Sequence, residues 1–267
     1  RYNAKNTLDK NYLYLAEKEG AEIWAQTKLV DVVPLGESKV NKGGESGYMV
    51  KLRPVGKFGF GQKRIVVKGV VFSGGVLGTI PLLLKLKKRS LPKLSDQVGF
   101  GVRTNNEALI GIVSRQKKTD FTEGIAIGSI VHTDEHSHLE PVRYPSGSGF
   151  WRLLMAPMLS GKNFGHRLTL LIWDYIRHPI DNARAYLVGN WAKRAQILLF
   201  MQTIDSRLRL RQGFFGMRTG MEDGPKPSAF IPEAQHLAKE YAKIINGKPL
   251  VLPTETLFGI PTTAHIL

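Results

Sequence analysis

Three of the seven histidines lie within one short segment, and their spacing could suit a metal ion. The segment reads His-Thr-Asp-Glu-His-Ser-His from His132 to His138, so imidazoles stand two and four residues apart with carboxylates between them. A metal would need His132 and His136 on one helical face, or His136 and His138 on one strand face. The apolar run 125–131 favours a strand instead, and the spacings typical of zinc sites are absent. We therefore predict a polar loop here and no metal site.

Two other residues have side chains that could move a proton. Glu140 stands between Leu139 and Pro141, and a carboxylate held among apolar groups can accept and return a proton. The alternative interpretation is a surface glutamate beside Arg143. His265 carries an imidazole, the group that exchanges a proton most readily near neutral pH, but a single histidine has no motif of its own.

The glycine-rich segment 65–107 predicts a strand, a turn and a helix. The run Ile65–Phe72 is rich in β-branched residues and ends at Ser73-Gly74-Gly75. The apolar segment Leu77–Leu86 predicts a helix, whose first turn offers free N–H groups. Glycines at 74, 75 and 78 let the backbone approach a ligand or a strand closely. By themselves these residues indicate a strand–turn–helix unit of an α/β protein that could lie near a phosphate.

The rest of the chain divides into two regions that differ in their predicted pattern of helices and strands. Before residue 105, we expect a helix from Tyr12 to Glu19 that ends at Gly20, then a hairpin of Ala21–Val33 and Gly47–Pro54. After residue 105, strand patterns and helix patterns follow without a βαβ rhythm. The strand patterns cover 108–114, 125–131, 196–204 and 207–211, and the helix patterns cover 168–177, a segment from Pro179, and 232–245. This predicts a mixed, largely antiparallel sheet with helices on one face.

Composition narrows the class of protein. A hydrophobic content of 42% and a charged content of 22% are typical of a folded globular chain. The longest uncharged apolar stretch, Gly69 to Leu84, has 16 residues, fewer than the roughly 20 that span a bilayer. The chain has no cysteine, which excludes disulfides and thiolate metal sites.

The net charge of +16 has three interpretations: composition without a specific role, contact with an anionic lipid surface, or nucleic-acid binding. Arg207, Arg209 and Arg211 alternate with leucines like one face of a strand, and no nucleic-acid-binding motif accompanies them. We expect no nucleic-acid partner.

The segment 65–107 resembles the glucose-methanol-choline (GMC) flavoprotein oxidoreductases, and within them the bacterial cholesterol-oxidase branch. The shared elements are an (A/G)G-x-LG-(T/S) turn, a leucine-rich helix, L-P-x-L and a G-x-x-x-x-x-N turn. They stand here at Gly74–Thr79, Leu91–Leu94 and Gly99–Asn105. Residues 5–13 are similar to the family's segment before the adenine strand, and Ala264-His265-Ile266-Leu267 is similar to the start of its catalytic-histidine motif.

The resemblance implies an α/β plus α+β fold: part of a Rossmann-like FAD-binding domain in residues 1–104, a substrate domain in 105–257, and a return to the FAD domain in 258–267. The G-x-G-x-x-G fingerprint and the family's C-terminal Asn-Pro segment are absent from the chain. We therefore expect a middle portion of such an enzyme, which alone is inactive and holds flavin weakly.

The resemblance also implies five site residues. His265 corresponds to the catalytic histidine that lies beside the flavin and handles the substrate hydroxyl. Glu140 corresponds to a glutamate over the steroid rings, which could carry a proton from C4 to C6. Val30 occupies the place where backbone N–H and C=O groups bind adenine, and Gly74 and Gly75 lie close to the cofactor.

The implied function is an FAD-dependent alcohol oxidase that acts on a sterol-like 3-hydroxyl, with oxygen as electron acceptor and with peripheral contact to a membrane surface. The alternatives are a dehydrogenase of the same family that acts on another bulky alcohol with a different acceptor, and a non-catalytic lipid-binding module. No targeting region is read in the chain, so a secreted and a cytoplasmic bacterial location both stay open.

Overall fold

The computed structural model of the protein describes residues 6–36, 44–56, 61–214, 216–263 and 265–266. The helices are α1 (Tyr12–Lys18), α2 (Gly75–Lys87), α3 (Phe164–Arg177), α4 (Pro179–Leu187), α5 (Trp191–Arg194) and α6 (Pro232–Ile244). The strands are β1 (Thr27–Pro34), β2 (Tyr48–Pro54), β3 (Lys63–Val67), β4 (Val102–Arg103), β5 (Ala108–Ser114), β6 (Val131–His132), β7 (Ser137–Val142), β8 (Ala156–Pro157), β9 (Ala195–Gln202), β10 (Arg207–Gly213), β11 (Gly216–Met221) and β12 (Gly247–Val251).

The chain divides into two compact units. The first, called here the N-terminal unit, runs to Val102 and includes Leu208–Glu222. The second, called the sheet unit, consists of Arg103–Arg207 and the chain from Asp223 onward. The assignment of 1–104 to a cofactor domain and of 105–257 to a substrate domain stays a prediction.

The N-terminal unit contains an antiparallel sheet in the order β1-β2-β3. The expected hairpin is present, although residues 37–43 of its turn lie outside the described residues. The helix α1 ends where the sequence indicated, because Gly20 adopts a φ of +92° and donates its N–H to the Glu17 carbonyl at 3.0 Å. The described strands of this sheet pair antiparallel, so the Rossmann-like part of the fold stays a prediction.

The strand predicted over Ile65–Phe72 is wrong in its length. The strand β3 ends at Val67, which pairs with Tyr48, the first residue of β2. Beyond that pair β3 has no partner in β2, and the chain runs irregularly through 68–74. The helix α2 then begins at Gly75, two residues before the predicted start. The strand and the helix are therefore separated by seven residues and do not share one tight turn.

The alternating arginines and leucines form the strand that their period predicted. The strand β10 lies between β11 and β4, with Leu208 and Leu210 buried and with Arg207 and Arg211 exposed. The prediction of one charged strand face is confirmed.

The sheet unit is built on six strands in the order β6-β7-β9-β5-β12-β8, and every described pairing is antiparallel. The predicted antiparallel character of this sheet is confirmed, whereas the parallel pairs that a mixed sheet would contain are absent from the described strands. The strand predicted over 125–131 is also wrong, because only Val131–His132 pairs as β6. The rest of that run makes one isolated bridge, Ile127 with Val142, and Ile125 is 69% exposed. Without a buried face, nothing fixes the register of a longer strand.

Helices cover both faces of this sheet, which corrects the expectation of helices on one face. On one face, Ile112 and Leu198 pack with α6, which buries alanines at four-residue intervals: Ala234, Ala238 and Ala242. On the other face, Val113 and Ile197 pack with Ala185 of α4 and Trp191 of α5. The reason lies in β9, whose residues from Ala195 to Met201 are all buried and apolar except Gln196, so both of its faces need cover.

Candidate functional site

His265 is held by a buried glutamate that the sequence did not single out. The His265 Nδ1 lies 2.9 Å from Glu107 Oε2, and the His265 backbone N–H donates to Glu107 Oε1 at 2.9 Å. The Thr263 hydroxyl donates to the same Oε1 at 2.5 Å. The Glu107 side chain is fully buried, whereas the His265 side chain is 48% exposed. One carboxylate therefore binds both the ring and the backbone of a histidine that is open to a ligand.

The fold positions Glu107 through the residues just before β5. Asn106 adopts a left-handed φ of +46° and is buried, with its N–H donating to Thr104 Oγ1 at 3.3 Å. Its side-chain amide donates to Gln202 Oε1 at 3.2 Å, at the end of β9. Thr104 also bridges Ile266, next to the histidine. A polar Asn-Asn-Glu run stands directly before a strand that is apolar up to its last residue, Ser114, and this was the available sequence signal for the buried carboxylate.

Glu140 lies on β7, where its cross-strand partner is Leu199 of β9. The alternation of side chains places it on one face with His138, whose Nε2 is 3.8 Å from Glu140 Oε1. The Glu140 side chain is 19% exposed, and the neighbouring partners on β9 are Met201 and Leu199. The carboxylate thus lies half-buried on a largely apolar sheet face.

Residues near Glu140 and residues near His265 both contact Met201 of β9. Met201 pairs with His138 of β7 and also contacts the Asn105 amide at 3.3 Å, just before the segment that holds His265. Within the part of the chain that the structure describes, no hydrogen bond or ion pair joins Glu140 to His265 directly. The structure therefore connects the surroundings of both residues to β9, and their joint contact with a substrate stays a prediction.

The three clustered histidines form the two ends and the turn of a small hairpin. His132 and His138 are cross-strand partners with ring centroids 6.0 Å apart. His136 lies in the turn, and its N–H donates to Asp134 Oδ1 at 2.7 Å. Over the described residues, no group of three or more His, Cys, Asp or Glu side chains could hold a metal ion.

A cleft of about 960 Å³ opens in the N-terminal unit between β1 and α2, and Val30, Gly74 and Gly78 line it. Val30 is the extra residue of a β-bulge: the pairing of β1 with β2 passes from Leu29 to Asp31 and skips it. Val30 therefore has no cross-strand partner in β2, and it lines the cleft. Gly75, at the start of α2, has a φ of +67°.

The charges around this cleft are mostly positive. Asp31 accepts hydrogen bonds from Lys51 at 2.8 Å and from Ser90 at 2.7 Å. Burial opposes ionisation of Asp31, but these hydrogen bonds outweigh it and lower the pKa of the carboxyl group. The remaining charged residues that line the cleft are cationic: Lys28, Arg53, Lys85 and Arg89. A β-bulge, a glycine turn and an excess of cations could accommodate an anionic dinucleotide.

The basic residues of the cluster at 85–89 have different surroundings in the structure. Lys85 and Arg89 line the cleft, while Lys87 forms an ion pair with Asp96 and a hydrogen bond with the Ser95 carbonyl at 2.9 Å. Contact of this cluster with a membrane stays a prediction. No described helix combines the length and the apolar character that a bilayer crossing needs.

The segment that leads to His265 contains a second buried carboxylate, Glu255. It lies in the short helical turn Thr254–Phe258, and its Oε1 has no hydrogen-bond partner among the described residues. Burial raises the pKa of Glu255 to about 7, although hydrogen bonds from Thr262 oppose the change. The turn is fixed by Thr256, whose hydroxyl donates to the Pro157 carbonyl at 2.9 Å.

Curated proteins from two organisms match this chain along its whole length. A cholesterol oxidase of Acinetobacter baumannii is 39% identical over 273 residues, which cover 100% of this chain and 49% of the relative. Cholesterol oxidases from two strains of Mycobacterium tuberculosis are each 31% identical over 281 residues, which cover 100% of this chain and 47% of the relative. No protein-family model matches the chain.

The chain thus spans about half the length of the curated relatives it matches. Its mixed α/β fold with antiparallel sheets is compatible with part of a flavoprotein. The full-length similarity to proteins named cholesterol oxidase supports the resemblance to the GMC-like flavoprotein oxidoreductases that act on CH–OH groups.

Proposed function

We propose that the chain is the substrate-handling portion of an FAD-dependent oxidase that converts a sterol-like 3-hydroxyl to a ketone. The observation that carries the proposal is the half-exposed His265, fixed by the buried Glu107 at the start of the Ala-His-Ile-Leu segment. The similarity to cholesterol oxidases, which covers the whole chain, supports the substrate class.

His265 is the proposed acid–base residue. Its Nδ1 is occupied by Glu107, so Nε2 is the nitrogen that remains for a substrate hydroxyl. In the oxidation, the hydroxyl proton moves to Nε2 while the electron pair of the carbinol C–H bond leaves with the hydrogen. The ketone forms when both bonds have broken.

The cleft of the N-terminal unit is the proposed site for the adenine and phosphate portions of FAD. The backbone of Val30, which is skipped in the β1–β2 pairing, would bind adenine, and Gly74 and Gly75 would allow close approach. Lys28 and Arg53 would balance the phosphate charge. Bound FAD supplies the two-electron acceptor for the hydride, and we propose oxygen as the final acceptor. Since this chain lacks the G-x-G-x-x-G fingerprint, we propose that it is inactive alone.

Glu140 is the proposed base for a second step, the shift of a ring double bond into conjugation with the new ketone. Its half-buried carboxylate lies against Leu199, so it can take a proton from one ring carbon and return it to another. The carboxylate is converted to the neutral acid by the first transfer and is regenerated by the second, and His138 Nε2 lies 3.8 Å from it.

The test of the oxidase function is His265→Ala in the full-length protein that includes this chain. We expect turnover to fall by about 10²-fold or more while the visible flavin absorbance is retained, as for loss of a positioned acid–base group. The matched control is His236→Ala on the exposed side of α6, which should turn over normally. Near-normal turnover of the His265 variant would contradict the assignment, and absence of flavin from the unmodified protein would contradict the oxidase itself.

A further inference from the structure

The two ring nitrogens of His265 have different environments. Nδ1 faces the buried Glu107 carboxylate at 2.9 Å, while the side chain as a whole remains half-exposed. An ionised carboxylate can accept hydrogen bonds but cannot donate one. If Glu107 is ionised, the proton of this hydrogen bond must therefore be on Nδ1. A neutral imidazole carries one proton, and Nε2 then keeps a lone pair.

The same carboxylate also determines where the ring stands. Its Oε1 accepts the His265 backbone N–H at 2.9 Å and the Thr263 hydroxyl at 2.5 Å, so the ring and its own backbone are tied to one group. Glu107 in turn follows Asn106, whose amide is bonded to Gln202 of β9. The imidazole is thereby connected, through Glu107 and Asn106, to the end of strand β9.

We infer that Glu107 is a positioning residue that holds His265 in the Nδ1-protonated tautomer and keeps Nε2 ready to accept a proton. The inference rests on the proposed function for its catalytic meaning. When Nε2 takes the hydroxyl proton of the alcohol, the imidazolium that forms is paired with the Glu107 carboxylate. The proton leaves Nε2 for water after the ketone departs, which restores the neutral imidazole.

A purely structural role for Glu107 makes a different prediction. In that case the carboxylate matters only because it satisfies the Thr263 hydroxyl and the backbone N–H, which a neutral amide oxygen also accepts. Glu107→Gln separates the two roles, because glutamine keeps the size and one acceptor but can present an N–H₂ group to Nδ1. The amide would then favour the opposite tautomer, with the proton on Nε2.

The experiment uses Glu107→Gln in the full-length protein, with Glu255→Gln as the matched control. Glu255 is also a buried carboxylate in the sheet unit, and it bonds Thr262 and not the histidine. We expect Glu107→Gln to lower kcat by about 10²-fold with KM changed less than about threefold, and Glu255→Gln to leave both near the unmodified values. Nitrogen-15 spectra of labelled histidine should show Nδ1 protonated in the unmodified protein and Nε2 protonated in Glu107→Gln.

The spectra need no substrate, so they test the pairing even if the protein oxidises no sterol, and failure of the proposed function is thereby distinguished from failure of the inference. An unchanged tautomer in Glu107→Gln, or an equal loss of kcat in both variants, would overturn the positioning role. If Glu107→Gln does not fold, Glu107→Asp provides the test, since it keeps the charge. It should keep the Nδ1-protonated tautomer and at least about a tenth of kcat, and loss of the tautomer there would equally overturn the inference.

Discussion

Glu255 places a carboxyl group in the sheet unit whose ionisation works against folding. The residue is 3% exposed, its Oε1 lacks a partner within the described parts of the chain, and burial raises its pKa from 4.5 to about 7. We therefore predict that Glu255→Gln stabilises the protein, and that the gain grows with pH. Glutamine has nearly the same size and stays neutral at every pH.

The sign and size follow from proton linkage. Between the unfolded and the folded pKa, the folded state keeps a proton that the unfolded chain has released, so stability falls as pH rises from 4.5 to about 7. At 1.36 kcal/mol per pH unit, the loss reaches about 3 kcal/mol above the folded pKa. Glu255→Gln removes this loss, so it should be near neutral at pH 4.5 and more stable by up to about 3 kcal/mol at pH 8.

The assay is urea unfolding of the unmodified protein and the variant at both pH values, followed by circular dichroism. A difference of about 3 kcal/mol shifts the midpoint by about 1 M urea or more. The control Glu17→Gln alters an exposed glutamate of α1 and should change stability by less than about 0.5 kcal/mol at either pH. A Glu255→Gln effect that is equal at the two pH values, or destabilising at pH 8, would refute the reasoning.

Two further predictions concern the second reaction step and the basic surface. In the Glu140→Gln variant, hydroxyl oxidation of a Δ5 sterol should continue while the unconjugated enone accumulates. The accumulation is measured as a loss of the ultraviolet absorbance of the conjugated product. Equal loss of both steps, or loss of neither step, would contradict a role of Glu140 as the base. For the net charge of +16, binding to liposomes should rise with anionic lipid and fall between roughly 50 and 500 mM salt, as the Debye length shrinks from about 14 to about 4 Å. Charge reversal at the exposed Arg211 should weaken that binding. Binding that changes with neither lipid charge nor salt concentration would show that the basic residues have no role beyond contact with solvent.

Several elements could be predicted from the sequence because their patterns are local. The strand β5 matches its predicted bounds, Ala108–Ser114, since a run of β-branched and apolar residues is buried on both sides. The helix α6 follows its amphipathic period, and β10 follows its period of two. In each case the residues that define the pattern are neighbours along the chain.

Other elements depended on partners that local pattern does not contain. The strand β3 stops at Val67 because β2 offers no further partner, although Val70, Val71 and Phe72 continue the apolar run. The run 125–131 has strand composition but lacks a buried face, so it makes one bridge. The two-sided cover of β9 could have been expected from its continuous apolar residues.

In the candidate site too, some residues could be named from the sequence, whereas one contact could be found only in the tertiary structure. The residue types and the family-like segments of the sequence were enough to name His265, Glu140, Val30, Gly74 and Gly75. The sequence alone did not identify Glu107, which stands 158 positions before the histidine that it binds. Only the tertiary structure decided that contact, because the left-handed Asn106 and the bond to Gln202 aim the carboxylate at a segment that is distant in the chain. The sequence determined which side chains can exchange a proton, and the packing of the sheet determined which carboxylate holds the imidazole.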